Sequence, residues 1–251
     1  MAGQGGIVSG ERCRFTDTGR CGLPVEGAAG TYVTKSLVSV QETPNMKESE
    51  KKVSTSASGE ECVVHNTPPQ LLDIGVTITL CGVDFYVLSY LGSITRVIDE
   101  AGDPEGYFTE RDIDPDAALG LEVWNAVGDG AQCADTPLDD SFFEQVNAGR
   151  TARGYHVWPA ITNLQLSGEV TYGNDVANLT LTGTAKFAPY WGRGPYNVRL
   201  NANTGTPDRL LVPFSNTRAS YHGVTFLAPP EVTPEPIALT RPEPYFGPVT
   251  P

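Results

Sequence analysis

From Thr162 to Lys186 the chain alternates apolar and polar residues across a turn. Leu164, Leu166, Val170 and Tyr172 share one side of the first run, and Gln165, Ser167, Glu169 and Thr171 share the other. On the second run Ala177, Leu179, Leu181, Ala185 and Phe187 alternate with Asn178, Thr180, Thr182, Thr184 and Lys186. A period of two with one polar side predicts an antiparallel hairpin lying over a core. The polar side is unusual, because amides and hydroxyls outnumber charges there.

The same pattern recurs along the chain. Residues 31–40 and 60–65 predict strands, and Ile74, Val76, Ile78 and Leu80 alternate with Gly75, Thr77 and Thr79. The period then changes. Asp84 is placed to cap a short helix carrying Phe85, Leu88 and Leu91 on one stripe, with Gly92 near its end. Ile94 to Ile98 extends that helix or begins the next segment, and residues 99–117 read as acidic and turn-like. Leu121, Val123 and Trp124 mark a strand. Residues 128–153 form a polar connection with a helical turn at Phe142–Val146. Tyr155 to Trp158, Leu210 to Phe214 and Val224 to Leu227 complete the strand set. The class is mainly β: a β-sandwich or split barrel of packed antiparallel sheets with one short flanking helix.

Three stretches fall outside this pattern. Residues 1–30 are glycine-rich and read as an N-terminal arm. Residues 41–59 are polar and charged, and read as a long loop between strands, the kind of loop that is functional or mobile. From residue 229 the chain has eight prolines in 23 residues and reads as an extended C-terminal segment. The expected organisation is therefore an arm over 1–30, a β domain over 31–228 and a proline-rich extension over 229–251.

Composition sharpens this picture. Of 251 residues, 27 are glycine and 20 proline, which favours turns and extended segments. Net charge is −13, and it is lopsided: residues 1–150 hold 24 acidic and 10 basic residues, residues 151–251 hold 6 and 7. Such a chain is not built to grip nucleic acid, which needs clustered Lys and Arg; it repels phosphate instead. No apolar run approaches a membrane span, and the first residues lack the basic and apolar regions of a secretory signal, so the expectation is a chain made and kept in the cytosol. The five cysteines, Cys13, Cys21, Cys62, Cys81 and Cys133, are odd in number and have no CxxC spacing, which predicts free thiols. Cys13, Cys21 and Cys62 with His65 match no standard zinc spacing, and Cys62 and Cys81 lie in strand-like stretches that a sheet can bring together.

Catalytic patterns are missing. There is no nucleophile elbow, no HExxH, no phosphate-binding loop, and His65, His156 and His222 each stand alone. Asp112, Asp114 and Asp116 resemble the start of a calcium loop, but Ala117 replaces the required glycine and Val123 the final glutamate. A solvated acidic turn is the better reading. Asn178-Leu179-Thr180 has the form of a glycosylation sequon but reads as strand. Trp124, Trp158 and Trp191 are candidates for a sugar platform, though scattered strand tryptophans are more often core or interface. No catalytic residue, cofactor ligand or metal ligand is assigned.

A resemblance enters at residues 155–198. Trp158-Pro159, the TGTAK stretch Thr182 to Lys186, and the W-G-x-G-P-Y segment Trp191 to Tyr196 resemble the major tail proteins of long-tailed actinobacteriophages. Upstream, a strand, a long polar loop, ECVVH, and ITLCGVDFYVLSYLGS follow a similar order, so the likeness spans roughly residues 31–228. It implies a tail-tube fold whose subunits close hexameric rings that stack into a tube, the conduit for genome delivery, in the virion tail assembled in the host bacterial cytoplasm. The implied partners are the chain itself, with tape measure, tail terminator and tail-tip proteins, while DNA passes without specific binding. The loop, with Lys47, Glu48, Glu50, Lys51 and Lys52, would reach the neighbouring ring. The hairpin's polar side, with Gln165, Glu169, Thr171, Asn178, Thr180 and Thr182, would face the channel or a neighbour. The competing readings are another virion β protein (tail terminator, tail-end ring or head decoration) and a carbohydrate-binding or hydrolytic β domain.

Overall fold

The computed structural model describes residues 7–55, 57–58, 61–100, 104–112, 114–127, 152–167 and 178–246. Strands dominate. In chain order they are β1 (Ile7–Thr18), β2 (Gly27–Thr34), β3 (Leu37–Lys47), β4 (Glu50–Thr55), β5 (Glu61–Thr67) and β6 (Gln70–Cys81). The short helix α1 (Phe85–Leu88) follows, then β7 (Ile94–Ile98), β8 (Pro104–Thr109), β9 (Ala118–Val127) and β10 (Arg153–Leu166). The chain ends with β11 (Asn178–Ala185), β12 (Arg199–Leu200), β13 (Pro207–Asp208), β14 (Tyr221–Thr225) and β15 (Ile237–Leu239).

Nine strands form one antiparallel sheet in the order β15-β2-β1-β9-β10-β11-β6-β3, with β14 on the β11 side of β10. β2 is second in that order and β3 is last, yet only Lys35 and Ser36 join them. Two residues reach only about 10 Å between strand ends, so the sheet must curl until its far edge returns to its start. The result is sandwich-like, its two halves joined through β10. The inward face collects Phe15, Val76, Ile78, Leu80, Leu119, Leu121, Trp158, Ile161 and Leu181 into one core, closed at one side by Val87 and Leu88 of α1.

β10 makes the curl. Trp158 and Ile161 both face the main core although they are three positions apart, and so do Ile161 and Leu164. A period of two forbids this unless a residue is inserted, and register breaks fall between Trp158 and Ile161 and between Thr162 and Gln165. Pro159, which cannot donate to a ladder, sits in the first break, and Asn163 takes φ 53° in the second. Gly183 leaves the bend its room: a Cβ there would lie 2.7 Å from Ile161 Cγ2 and 2.9 Å from Leu164 Cδ1.

The helix is where the pattern puts it. Asp84 Oδ1 accepts from the amides of Tyr86 (3.1 Å) and Val87 (3.3 Å), and Oδ2 accepts from the Tyr32 hydroxyl at 3.0 Å. Asp84→Ala is therefore expected to lose about 1–2 kcal/mol in urea unfolding, the cost of a cap plus an orphaned hydroxyl.

Several expectations need correction. Residues 7–18 are not an arm but β1, hydrogen-bonded on both sides, with Cys13 and Phe15 fully buried. Residues 41–47 belong to β3 and 50–55 to β4, so the expected loop is mostly strand. Residues 104–109 form β8 paired with β7. Leu210 to Phe214 form no strand, though both end residues are buried, and the strand expected over Val224 to Leu227 is β14, which ends at Thr225. The proline-rich segment carries β15, which adds to the β2 edge. Cys62 and Cys81 lie on β5 and β6, which do not pair with each other; Cys81 stands opposite Asn178. The Phe142–Val146 turn lies outside the described residues.

A second core covers the opposite face of β9 and β10. Trp124, Tyr155, Val157 and Ala160 pack against Trp191, Val198, Leu210 and Phe214. The three tryptophans proposed as a sugar platform are all in cores, at 2%, 4% and 1% exposure for Trp124, Trp158 and Trp191.

Candidate functional site

The polar side of the opening hairpin extends over four strands. Gln165 of β10 stands opposite Thr182 of β11, Thr182 opposite Thr77 of β6, and Thr77 opposite Gln41 of β3. Beside this row run Thr180, Thr79 and Ser39, and then Thr184, Gly75 and Thr43. The inward partners on the same strands are Ile78, Val76 and Leu181, so the alternation is complete. Hydroxyls and amides face solvent in rows, and charge appears at one end, where Lys186 Nζ meets Asp73 Oδ2 at 2.9 Å and Asn45 Nδ2 donates to Asp73 at 2.6 Å. Of the expected face residues, Gln165, Asn178, Thr180 and Thr182 are brought together here, and Glu169 and Thr171 lie outside the described residues.

β3 bounds this face as an edge strand. It has eleven residues and, among the described residues, one strand neighbour, β6. Beyond Leu37, whose backbone meets Cys13, its groups on the other side pair with no strand among the described residues and form an open row, the usual template for another strand. The chain leaves it directly into β4, and Lys47 pairs with Gln70 just before Glu50 pairs with Thr67. β3–β4 and β5–β6 are thus two legs of one long hairpin, jointed at residues 48–49 and at Pro68-Pro69. Lys47 ends β3, Glu48 lies in the joint, and Glu50, Lys51 and Lys52 lie on β4; all five are exposed. Beyond the joint the hairpin is an arm rather than part of the core.

A third feature lies at the mouth of the curled sheet, facing a cavity of about 460 Å³ between β3 and the β9–β10–β14 wall. The β10–β14 register sets His156 opposite His222, and their Nδ1 atoms are 2.8 Å apart. His222 Nε2 is 3.4 Å from Glu42 Oε2 and 3.1 Å from Ser220 Oγ. The Trp158 indole N–H donates to the other Glu42 oxygen. His156 Nε2 is buried and has no partner. The His222 hydrogen bond holds the Glu42 carboxyl below its ordinary value, against burial and with help from Trp158. Burial, then the neighbouring His222, holds His156 below 6.5, with Glu42 opposing.

Beneath the second core, Arg14 Nε and Nη2 donate to Glu122 at 2.6 and 2.9 Å, and the Tyr155 hydroxyl donates to Glu122 Oε1 at 2.5 Å. The Arg14 guanidinium sits 3.3 Å from the Tyr196 ring centre and 5.1 Å from that of Trp124. Burial disfavours the Arg14 charge, but Glu122 outweighs it and the net shift is upward; the Tyr155 hydroxyl is pushed far up, by burial first and Glu122 next.

Neither polar cluster is legible in the sequence. His156 and Trp158 alternate onto one side of a strand, a usable local signal, but His222 lies 66 residues on and Glu42 in a stretch read as loop. Among the described residues no group of three or more His, Cys, Asp or Glu is arranged to hold a metal ion, and no helix is long and apolar enough to cross a membrane. No model of a known protein family matches the chain, and no curated protein matches it.

Proposed function

We propose that this chain is the subunit of a phage tail tube, a structural protein that closes into rings and stacks them around a DNA channel. The observation that carries the reading is the uncharged hydroxyl-and-amide face spread over β10, β11, β6 and β3 of a chain with net charge −13. A wall that DNA must slide past has to stay wet without offering cations to phosphate. Threonine and glutamine rows do this, and surplus negative charge elsewhere discourages trapping. The open β3 edge supports cyclic closure, because a head-to-tail contact satisfies every edge only when the ring closes. The exposed β4–β5 arm supports contact between successive rings. The resemblance of residues 155–198 to major tail proteins agrees with this reading.

Electron microscopy of the purified chain at several concentrations, beside light scattering after size exclusion, tests the proposal. Rings or tubes with an open centre are the expected result. A compact dimer or a single capped ring would move the chain to another virion role. A monomer that stays monomeric even on preformed tube seeds would overturn the reading.

A further inference from the structure

We propose that Glu42, His222 and His156 form a proton-operated clasp that ties edge strand β3 across the mouth of the curled sheet to β14 and β10, and that acidification opens it. Its consequence for assembly rests on the tail-tube reading; the clasp itself does not.

The geometry limits how many protons the closed cluster can hold. Two imidazole nitrogens 2.8 Å apart make a hydrogen bond only if one donates and the other offers a lone pair. One proton between them satisfies both rings. His222 then turns its other N–H to Glu42, which also takes the Trp158 indole proton. A second proton on the two facing nitrogens sets N–H against N–H, and the rings must part. His156 has nowhere else to send a proton, because its Nε2 is already buried without a partner.

His222 is partly open to solvent, but the protein groups around the pair offer little relief. From β3 the cavity receives Leu37, Val38, Ser39, Val40 and Glu42; from β9, Val123 and Asn125; from β1, Gly10. Glu42 is the one carboxylate among these lining residues, and it is already shared between Trp158 and His222. The direction of titration agrees. His156 is held below 6.5 in the folded chain, so its contribution to stability is complete above that pH and is lost as pH falls below it. Glu42 is likewise held below its ordinary value, and its contribution is lost only at lower pH still.

What opens is mechanically defined. β3 has β6 on one side; on the other, Leu37 at its start meets Cys13 of β1, and farther along the tie across the mouth is the Glu42 side chain. Glu42 pairs in register with Val76 and points inward, a charge aimed at the core side of an edge strand. Releasing it frees the strand that leads into the β4–β5 arm.

Hydrogen–deuterium exchange on the full chain at about pH 7.5 and about pH 5, corrected for intrinsic exchange, reads the clasp in the monomer. Amides of residues 37–43 are expected to lose about tenfold protection at the lower pH, the size of one charge-assisted bond. His156→Phe keeps the ring volume and the Glu42–His222 pair, and is expected to abolish the loss over that interval. Equal protection at both pH values in the native chain, or the same loss in the variant, overturns the proposal. If His156→Phe does not fold, histidine C2–H titration of the native chain decides: His156 and His222 titrating independently near 6.5 overturns the clasp, and two coupled steps support it. Tube yield at the same two pH values is a separate reading. Tubes indifferent to pH with an opening clasp would remove the assembly consequence alone, and absence of tubes at both would count against the tail-tube reading.

Discussion

Glu122→Leu is expected to destabilise the fold by about 3–5 kcal/mol, the usual cost of leaving one member of a buried ion pair behind. Glu122 is 1% exposed and accepts from two Arg14 nitrogens and from Tyr155. Removing its carboxylate strands a guanidinium between the Tyr196 and Trp124 rings, with no acceptor for the Tyr155 hydroxyl. For a chain of this length the loss lowers the melting temperature by on the order of 10 °C. The size of the effect comes from the abandoned charge, which a second substitution reveals. Arg14→Met combined with Glu122→Leu replaces both charges with apolar groups of similar volume and should recover most of the loss. Calorimetry or urea titration of the two singles and the double closes the cycle. A Glu122→Leu protein that melts within a few degrees of the native one, or a double variant worse than the sum of the singles, would show that the pair is not the keystone of the second core.

The strands that could be read in advance are those with one wet and one dry side. β6 and β11 alternate because Ile74 to Leu80 and Leu179 to Ala185 bury against the core while threonines face out, and Asp84 announces α1 by its cap. β1 was hidden for the opposite reason. Arg14 is buried in it against Glu122, so polar residues occupy positions that a one-sided strand would leave apolar. β4 and the outer part of β3 are exposed nearly throughout, and a ribbon with no core side has no period to detect. β15 has three residues in a proline-rich stretch, and the β2 edge holds it: Gly30 leaves space in which a Cβ would lie 2.5 Å from Leu239 Cβ. The uncharged face was legible as one hairpin, but its breadth was not, since Gln41, Thr43 and Thr77 reach Thr182 and its neighbours only through pairing between strands far apart in sequence. Both histidine and arginine clusters depend on the same kind of long-range register.

Excising residues 48–69 and joining Lys47 to Gln70 through Asn-Gly is expected to leave the monomer folded and to abolish tube formation. Lys47 and Gln70 are opposite each other, so a two-residue turn can close β3 onto β6 without altering either strand. Among the described residues, none of either apolar core lies between them in sequence. The obvious cut over the polar stretch, Lys47 to Ser56, would be a poorer experiment, because it removes β4 and leaves β5 without its ladder. Thermal stability of the excised chain should stay within about 1 kcal/mol of the native value, as for other exposed segments. Assembly should suffer far more. A solvent-exposed two-stranded ribbon is marginal alone, so a neighbouring ring that orders it supplies contacts found nowhere in the monomer. Losing about 3 kcal/mol of such contact per subunit raises the concentration needed for assembly by more than about 100-fold. Charge reversal at Lys51 and Lys52 separates the two meanings of a loss: if the arm acts through complementary charge, Lys51→Glu with Lys52→Glu reproduces much of the defect with the hairpin intact. Tubes forming at undiminished yield from the excised chain would remove the arm from the assembly surface, and a collapse of monomer stability would show that it belongs to the fold.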